Sequence, residues 1–242
     1  MEDALIQAVD FLGEAGRWSL TDPNGIPYRI VEHLLLTLAA MVVAILVAVP
    51  PAVWLAHHHR AEALASAIVN IGRAIPSFGL IILFWLIASR QGVSSNWALV
   101  AALVALAIPP IFTNAYTGVA EVDRATVEAA TGQGLTDRQV LFEVELPLGT
   151  EVILAGIRIA MVQVIATVGI GAIVYNGGGL GRFIIDGFAT GPRGYGEVFV
   201  GAVLLAALVL AAEAMFSLAQ DWVLPSGLRG QRGDEPPEVV VA

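Results

Sequence analysis

Five apolar stretches of the chain are long enough to cross a hydrocarbon layer about 30 Å thick, which takes about 20 helical residues. They run from Val31 to Ala56, Ala63 to Ala88, Trp97 to Val119, Val152 to Tyr175 and Val198 to Val223. Arg73 and Pro76 interrupt the second, and Pro109-Pro110 falls inside the third. None alternates polar with apolar as a membrane β-strand does. Unpaired amides in lipid cost several kcal/mol each, so continuous helices are expected. Ahead of them, Leu5, Val9 and Leu12 recur at i, i+4 and i+7, the spacing of a short amphipathic helix lying near a membrane surface. Two other stretches connect spans: a polar one from Ala120 to Glu151 and a glycine-rich one from Asn176 to Glu197. The tail from Ser226 to Ala242 is rich in Gly and Pro and is expected to be disordered.

Composition supports lipid as the solvent. Hydrophobic residues make up 57% and charged residues 14%, with a mean hydropathy of +0.78. Soluble domains lie nearer ~45–50% apolar and ~25% charged, and one soluble core cannot hide the difference. The expectation is an all-α integral membrane protein with five, possibly six, spanning helices. The acidic start Met1-Glu2-Asp3 is unlike the basic start of a cleavable signal. Cysteine is absent, which excludes disulfides and thiolate metal sites. All 12 basic residues are Arg, so the phosphate-binding loop that needs Lys is missing and any ATP must be bound by another chain. A net charge of −9 argues against nucleic acid. Counting Arg residues in the connecting segments gives five on each side, so charge does not orient the protein. His57-His58-His59 point about 100° apart on a helix and lack carboxylates at metal-ligand spacing. They read as a solvated interfacial cap.

The segment that carries chemistry is AEVDRATVEAATGQGLTDRQVLFEVELP, residues 120–147. Its first half is helical by composition. Gly134 stands where a helix end needs a left-handed residue, and Thr136 with Gln139 fits a capping box for a second helix. That helix places Val140, Leu141 and Val144 on one side, and Leu146-Pro147 is expected to end it. The product is a rigid protrusion with an apolar ridge and acidic flanks at Asp137, Glu143 and Glu145, suited to docking in a groove on another protein.

Glu128-Ala129-Ala130, then Gly134, then Val144-Glu145-Leu146-Pro147 resemble the E-A-A, G, I-x-L-P pattern of permeases of ABC importers, with Val in place of Ile. The resemblance implies a type-I permease fold in which this loop is a cytoplasmic coupling helix. Glu128, Ala129, Ala130, Gly134, Val144, Leu146 and Pro147 would then couple it to an ATPase subunit. The implied layout is an external N-terminal segment with a short amphipathic helix (1–29), a permease domain (30–224) and a cytoplasmic tail (225–242), in a bacterial inner membrane. The implied partners are ABC ATPase subunits, which carry ATP and Mg²⁺, a second permease subunit and an external solute-binding protein. No cofactor is implied on this chain.

Arg73-Ala74-Ile75-Pro76-Ser77-Phe78, the stretch from Pro110 to Gly118, Ala155-Gly156-Ile157-Arg158 and Gly177-Gly178-Gly179-Leu180-Gly181 are similar to permeases for quaternary-amine osmoprotectants. That resemblance implies glycine betaine, choline, carnitine or proline betaine as cargo. The alternatives are another small polar solute, such as an amino acid or ergothioneine, and an ion-coupled secondary transporter, for which the scattered charges make no relay. Tyr116 and Tyr175 are candidates for lining the pathway. Two roles are open to Glu213: attracting a cationic substrate, or pairing with an Arg to hold helices together. Trp18, Trp54, Trp97 and Trp222 are expected at the membrane interface. No paired carboxylates, activated Ser or converging His cluster calls for enzyme chemistry.

Overall fold

Ala40, Ala44, Ala48, Ala52 and Ala56 recur every four residues and are all buried. On a helix, that spacing makes one nearly straight stripe without side-chain bulk, along which a second backbone can approach closely. In a computed structural model, which describes residues 2–60, 63, 67–68, 72, 76–175 and 178–223, the approaching helix is Ser95–Ala120. It meets the stripe with Ala98, Leu99, Ala102, Leu103, Ala107 and Ile111, all part of the same buried cluster.

The helices are α1 (Glu2–Gly13), α2 (Ile26–His57), α3 (Ser77–Gln91), α4 (Ser95–Ala120) and α5 (Arg124–Gly132). They are followed by α6 (Asp137–Gly171), then α7 (Gly181–Ala189) and α8 (Tyr195–Val223). Among the described residues there is no strand. Four helices are long and apolar enough to cross a membrane, namely α2, α4, α6 and the one that includes α8. They cover the first, third, fourth and fifth expected spans. Of the second, α3 covers the part from Ser77 to Ala88, while Arg73 and most of its first half lie outside the described residues. Pro50-Pro51 and Pro109-Pro110 sit within continuous helices, as membrane helices allow when neighbours satisfy the freed groups.

The helices α2, α4 and α6 pack as one body, and glycine sets the distance between the last two. A Cβ at Gly149 would lie 2.4 Å from the Gly118 carbonyl oxygen, and one at Gly156 would lie 2.8 Å from that of Pro110. At the opposite end from α5, a second cluster joins Ala8 and Phe11 of α1 to Ile26, Leu180, Phe183 and Val200. Phe11 meets Phe183 edge-on at 5.7 Å between ring centres. Gln7 accepts the Gly196 N–H at 3.2 Å and donates to the Pro192 carbonyl at 3.2 Å. The N-terminal helix is therefore seated on the start of α8. The glycine-rich connection also holds a helix, α7, buried through Phe183; its glycines had concealed it. Trp18, Trp54 and Trp97 are exposed.

Adding one methyl at the Gly118–Gly149 contact must push two backbones apart. Gly149→Ala is expected to destabilise the folded protein by about 1–3 kcal/mol, read as a lowered melting midpoint in detergent. Gly13→Ala, where a Cβ meets nothing within 4 Å, is the control and should leave the midpoint unchanged.

Candidate functional site

Asp123 opens α5 by accepting hydrogen bonds from the Thr126 N–H at 3.2 Å and the Thr126 hydroxyl at 3.1 Å, which satisfies one of the free amides of a helix start. The helix closes on Gly134 at φ +91°. The Gly134 N–H reaches the Thr131 carbonyl at 2.9 Å, and the Leu135 N–H reaches that of Ala130 at 3.3 Å. This is the paired closure that a left-handed residue makes possible. Thr136 then caps α6. Its hydroxyl accepts the Gln139 N–H at 3.4 Å, and the Gln139 side chain accepts the Thr136 N–H at 3.0 Å. The turn is thus held on both sides by local hydrogen bonds.

Beyond that point the structure differs from the expectation. Leu146-Pro147 does not end the second helix. Residues Val140–Glu145 are π-helical and lead directly into Leu146–Gly171, making α6 a continuous helix of 35 residues. The wider π turn takes up an extra residue just before the proline, where an α-helical ladder would lose a bond. At 1.5 Å per residue α6 is about 50 Å long, so much of its first part projects beyond a 30 Å hydrocarbon layer.

The apolar ridge also faces the other way. Val140 is buried, Leu141 and Val144 are half-buried, and Leu141 and Leu146 pack against the main core. The residue left outward is Phe142, 57% exposed, with the Arg138 guanidinium 5.7 Å from its ring centre. Ala129, Ala130 and Val144, distant in sequence, line one groove of about 530 Å³ with Leu135, while Asp123 and Gln133 also border it. Glu128 is exposed and pairs with Arg124 at 3.1 Å. Pro147 is half-buried.

His57 is not a solvated cap. Its Nδ1 is 2.5 Å from a Glu145 oxygen and its Nε2 is 3.3 Å from an Asp137 oxygen. The Glu145 side chain is only 4% exposed, whereas Asp137 is 86% exposed. His58 and His59 are exposed as expected. The two carboxylates stand on opposite sides of the ring, and among the described residues no three such groups converge as a metal site would require. Nothing in sequence spacing signals this cluster.

The pathway candidates are placed otherwise than expected. Tyr116 is buried and donates to the Arg60 carbonyl at 3.2 Å. Tyr175 is buried and donates to the Ile81 carbonyl at 3.1 Å. Neither ring lines an open path in this structure. Glu213 is paired in this structure: Arg158 Nε donates to it at 2.7 Å and a terminal guanidinium nitrogen binds the same oxygen. The pair joins α6 to α8.

A family of binding-protein-dependent transport system inner membrane components matches residues 40–226. The choline transport system permease protein OpuBD of Bacillus subtilis is 31% identical, over 77% of this chain and 80% of that protein. The carnitine transport permease protein OpuCD of Listeria monocytogenes is 30% identical, over 92% of this chain and 94% of that protein. Among solved structures, an inward-facing MetNI methionine ABC transporter superposes with a TM-score of 0.69 at 23% identity, over 83% of this chain and 96% of that one. At that identity the likeness concerns the fold.

Removing one partner of a charge pair within apolar helices strands the other. Arg158→Leu and Glu213→Leu are each expected to reduce the yield of monodisperse protein from membranes more than the double variant does. Size-exclusion profiles of the three decide it; single variants that match the double would show that the pair does not hold α6 to α8.

Proposed function

Since the chain belongs to the family of binding-protein-dependent transport system inner membrane components, it is a multi-pass membrane subunit of an ABC importer, and we propose that its cargo is a quaternary-amine osmoprotectant such as glycine betaine, choline or carnitine. The named cargo of the relatives, choline and carnitine, supports this class. ATP and Mg²⁺ sit on partner ATPase subunits, a second permease subunit completes the passage, and an external binding protein delivers the solute. The α5–α6 elbow faces the cytoplasm and seats in a cleft of the ATPase. Residues 1–29 and the glycine-rich connection are external, and the tail from 225 is cytoplasmic.

One observation carries the docking assignment: an exposed aromatic, Phe142, on a helix that is continuous with a span. An apolar ring held outward at the tip of a projecting helix gains by entering a pocket, and its displacement is passed along an unbroken backbone ladder. Closure of the ATPase dimer on ATP thus pushes α6, and α6 carries the α2–α4 body packed on it, in alternating-access fashion.

Two variants test this in reconstituted transporter. Gly134→Val forces a β-branched residue into a left-handed conformation, a strain of about 1–2 kcal/mol. It is expected to leave the protein inserted and ATP hydrolysis measurable while choline or glycine betaine uptake collapses. Phe142→Ala is expected to weaken retention of the ATPase about tenfold or more, as loss of a buried aromatic anchor does. Normal uptake by Gly134→Val together with normal ATPase retention by Phe142→Ala would refute the docking role.

A further inference from the structure

His57 ends α2, and its ring bridges two carboxylates that flank the π-helical stretch of α6. Asp137 precedes the stretch and Glu145 closes it. A ring whose two nitrogens each face a carboxylate oxygen donates to both only as the doubly protonated imidazolium. Glu145 is nearly sealed from solvent, so its charge needs that partner. The π turn is a place where a helix can change register, and here it is clamped from outside by a residue on another helix. Tyr116 adds a second tie nearby, from α4 to the Arg60 carbonyl just after α2.

We propose that His57 is a positioning residue for coupling: through Asp137 and Glu145 it locks the elbow to the cytoplasmic end of α2, so that displacement of the docking helix moves both helices as one. The inference rests on the docking role of the elbow proposed above. Without the clamp, a push on Phe142 is absorbed by bending at Val140–Glu145, and ATP is hydrolysed with little solute moved. The other ionisable groups near the clamp are His58, whose ring lies 5.1 Å from that of His57, and the exposed Arg60, Arg138 and Glu143. Arg138 is turned to Phe142 rather than to the clamp.

The chain has no cysteine, so spin labels at Arg60→Cys and Gln133→Cys report the distance between the end of α2 and the elbow. In the assembled transporter the unaltered clamp is expected to give one narrow distance distribution, the same without nucleotide and after trapping with ADP and vanadate. His57→Leu should broaden or shift the trapped distribution and lower choline or glycine betaine moved per ATP about fivefold or more, with the ATPase still co-purifying. Asp137→Asn, at an exposed position that poses no folding risk, should do the same more weakly. Burial lowers the His57 pKa, but Glu145 and Asp137 raise it more, so the net direction is upward. The second ring proton is lost only as the pH is taken from about 6 to well above the ordinary histidine range. The unaltered protein should then come to resemble His57→Leu, whose own distribution should not change with pH. Variants that keep the narrow distribution and full solute per ATP would overturn the clamp. Failure of the unaltered chain to hold any ATPase would instead overturn the docking role, and the labels on the permease alone, read across the same pH range, would still decide the clamp.

Discussion

Lipid tails are as apolar as leucine, so burying leucine between two membrane helices gains little over leaving it in the bilayer; contact must come from close packing. That constraint explains why the best-buried line of α2 is alanine while Leu34, Leu35, Leu38, Val42 and Leu46 face outward. It also explains Gly118, Gly149 and Gly156, at which α4 and α6 approach each other so closely that a methyl group has no room. The rigid body formed by α2, α4 and α6 follows from these small residues. In contrast, little of the apolar span of α8 is buried within the chain, and α8 is held by its N-terminal end and by the Arg158–Glu213 pair.

The lever role proposed above would need a stiff arm and a defined pivot, and the elbow can supply both. Stiffness comes from α6 passing unbroken through Pro147. Definition comes from hydrogen bonds that are local in sequence: the Asp123 cap, the Gly134 closure and the Thr136–Gln139 box. The weak point in such an arm is the π turn, where each hydrogen bond spans one more residue than in an α-helix. A buried carboxylate at its end and a histidine from another helix are placed there. The groove lined by Ala129, Ala130 and Val144 shows a second consequence of the same local order. Small residues on α5 let its backbone lie against the start of α6, which fixes the angle between the two short arms.

Much of this was legible in sequence because it is local. The turn at Gly134 and the capping box at Thr136 depend on residues within a few positions, and the structure has both. Four of the five expected spans were legible from the length of their apolar runs, each matched by a long helix. The misreadings share another cause. Helical periodicity shows which residues lie on one side, but not what that side faces. Val140, Leu141 and Val144 do lie together, yet the bundle core takes them and leaves Phe142 outside. Pro147 reads as a stop only if the turn before it is α-helical, and the π turn at Val140–Glu145 lets the helix pass through it. The helix α7 was hidden by glycines whose low helical propensity is overridden by packing of Phe183 against Phe11. The His57–Glu145 contact joins residues 88 apart, and nothing in either neighbourhood announces the other. The alanine stripe, on the other hand, is visible in the sequence at a spacing of four.

The position of the aromatic residues bears on where a quaternary amine is recognised. Such a cation, lacking hydrogen-bond donors, is held well only by several rings facing one space. Among the described residues several rings are engaged: Tyr116 and Tyr175 donate to backbone carbonyls, Trp18 donates to that of Leu12, and Trp54 lies tilted against His58, while Trp85, Trp97 and Tyr195 are exposed. The groove beside Tyr28 has that single ring, and its carboxylate, Glu32, is already paired with Arg29 at 2.8 Å. On these placements the passage proposed for this chain would offer a cation little to hold it. For a transported solute that is an advantage, because a site in the passage that bound tightly would have to be emptied against its own affinity in every cycle. On the assembly proposed above, selection is better placed where release can be driven, in the external binding protein, which leaves the membrane chain to open and close.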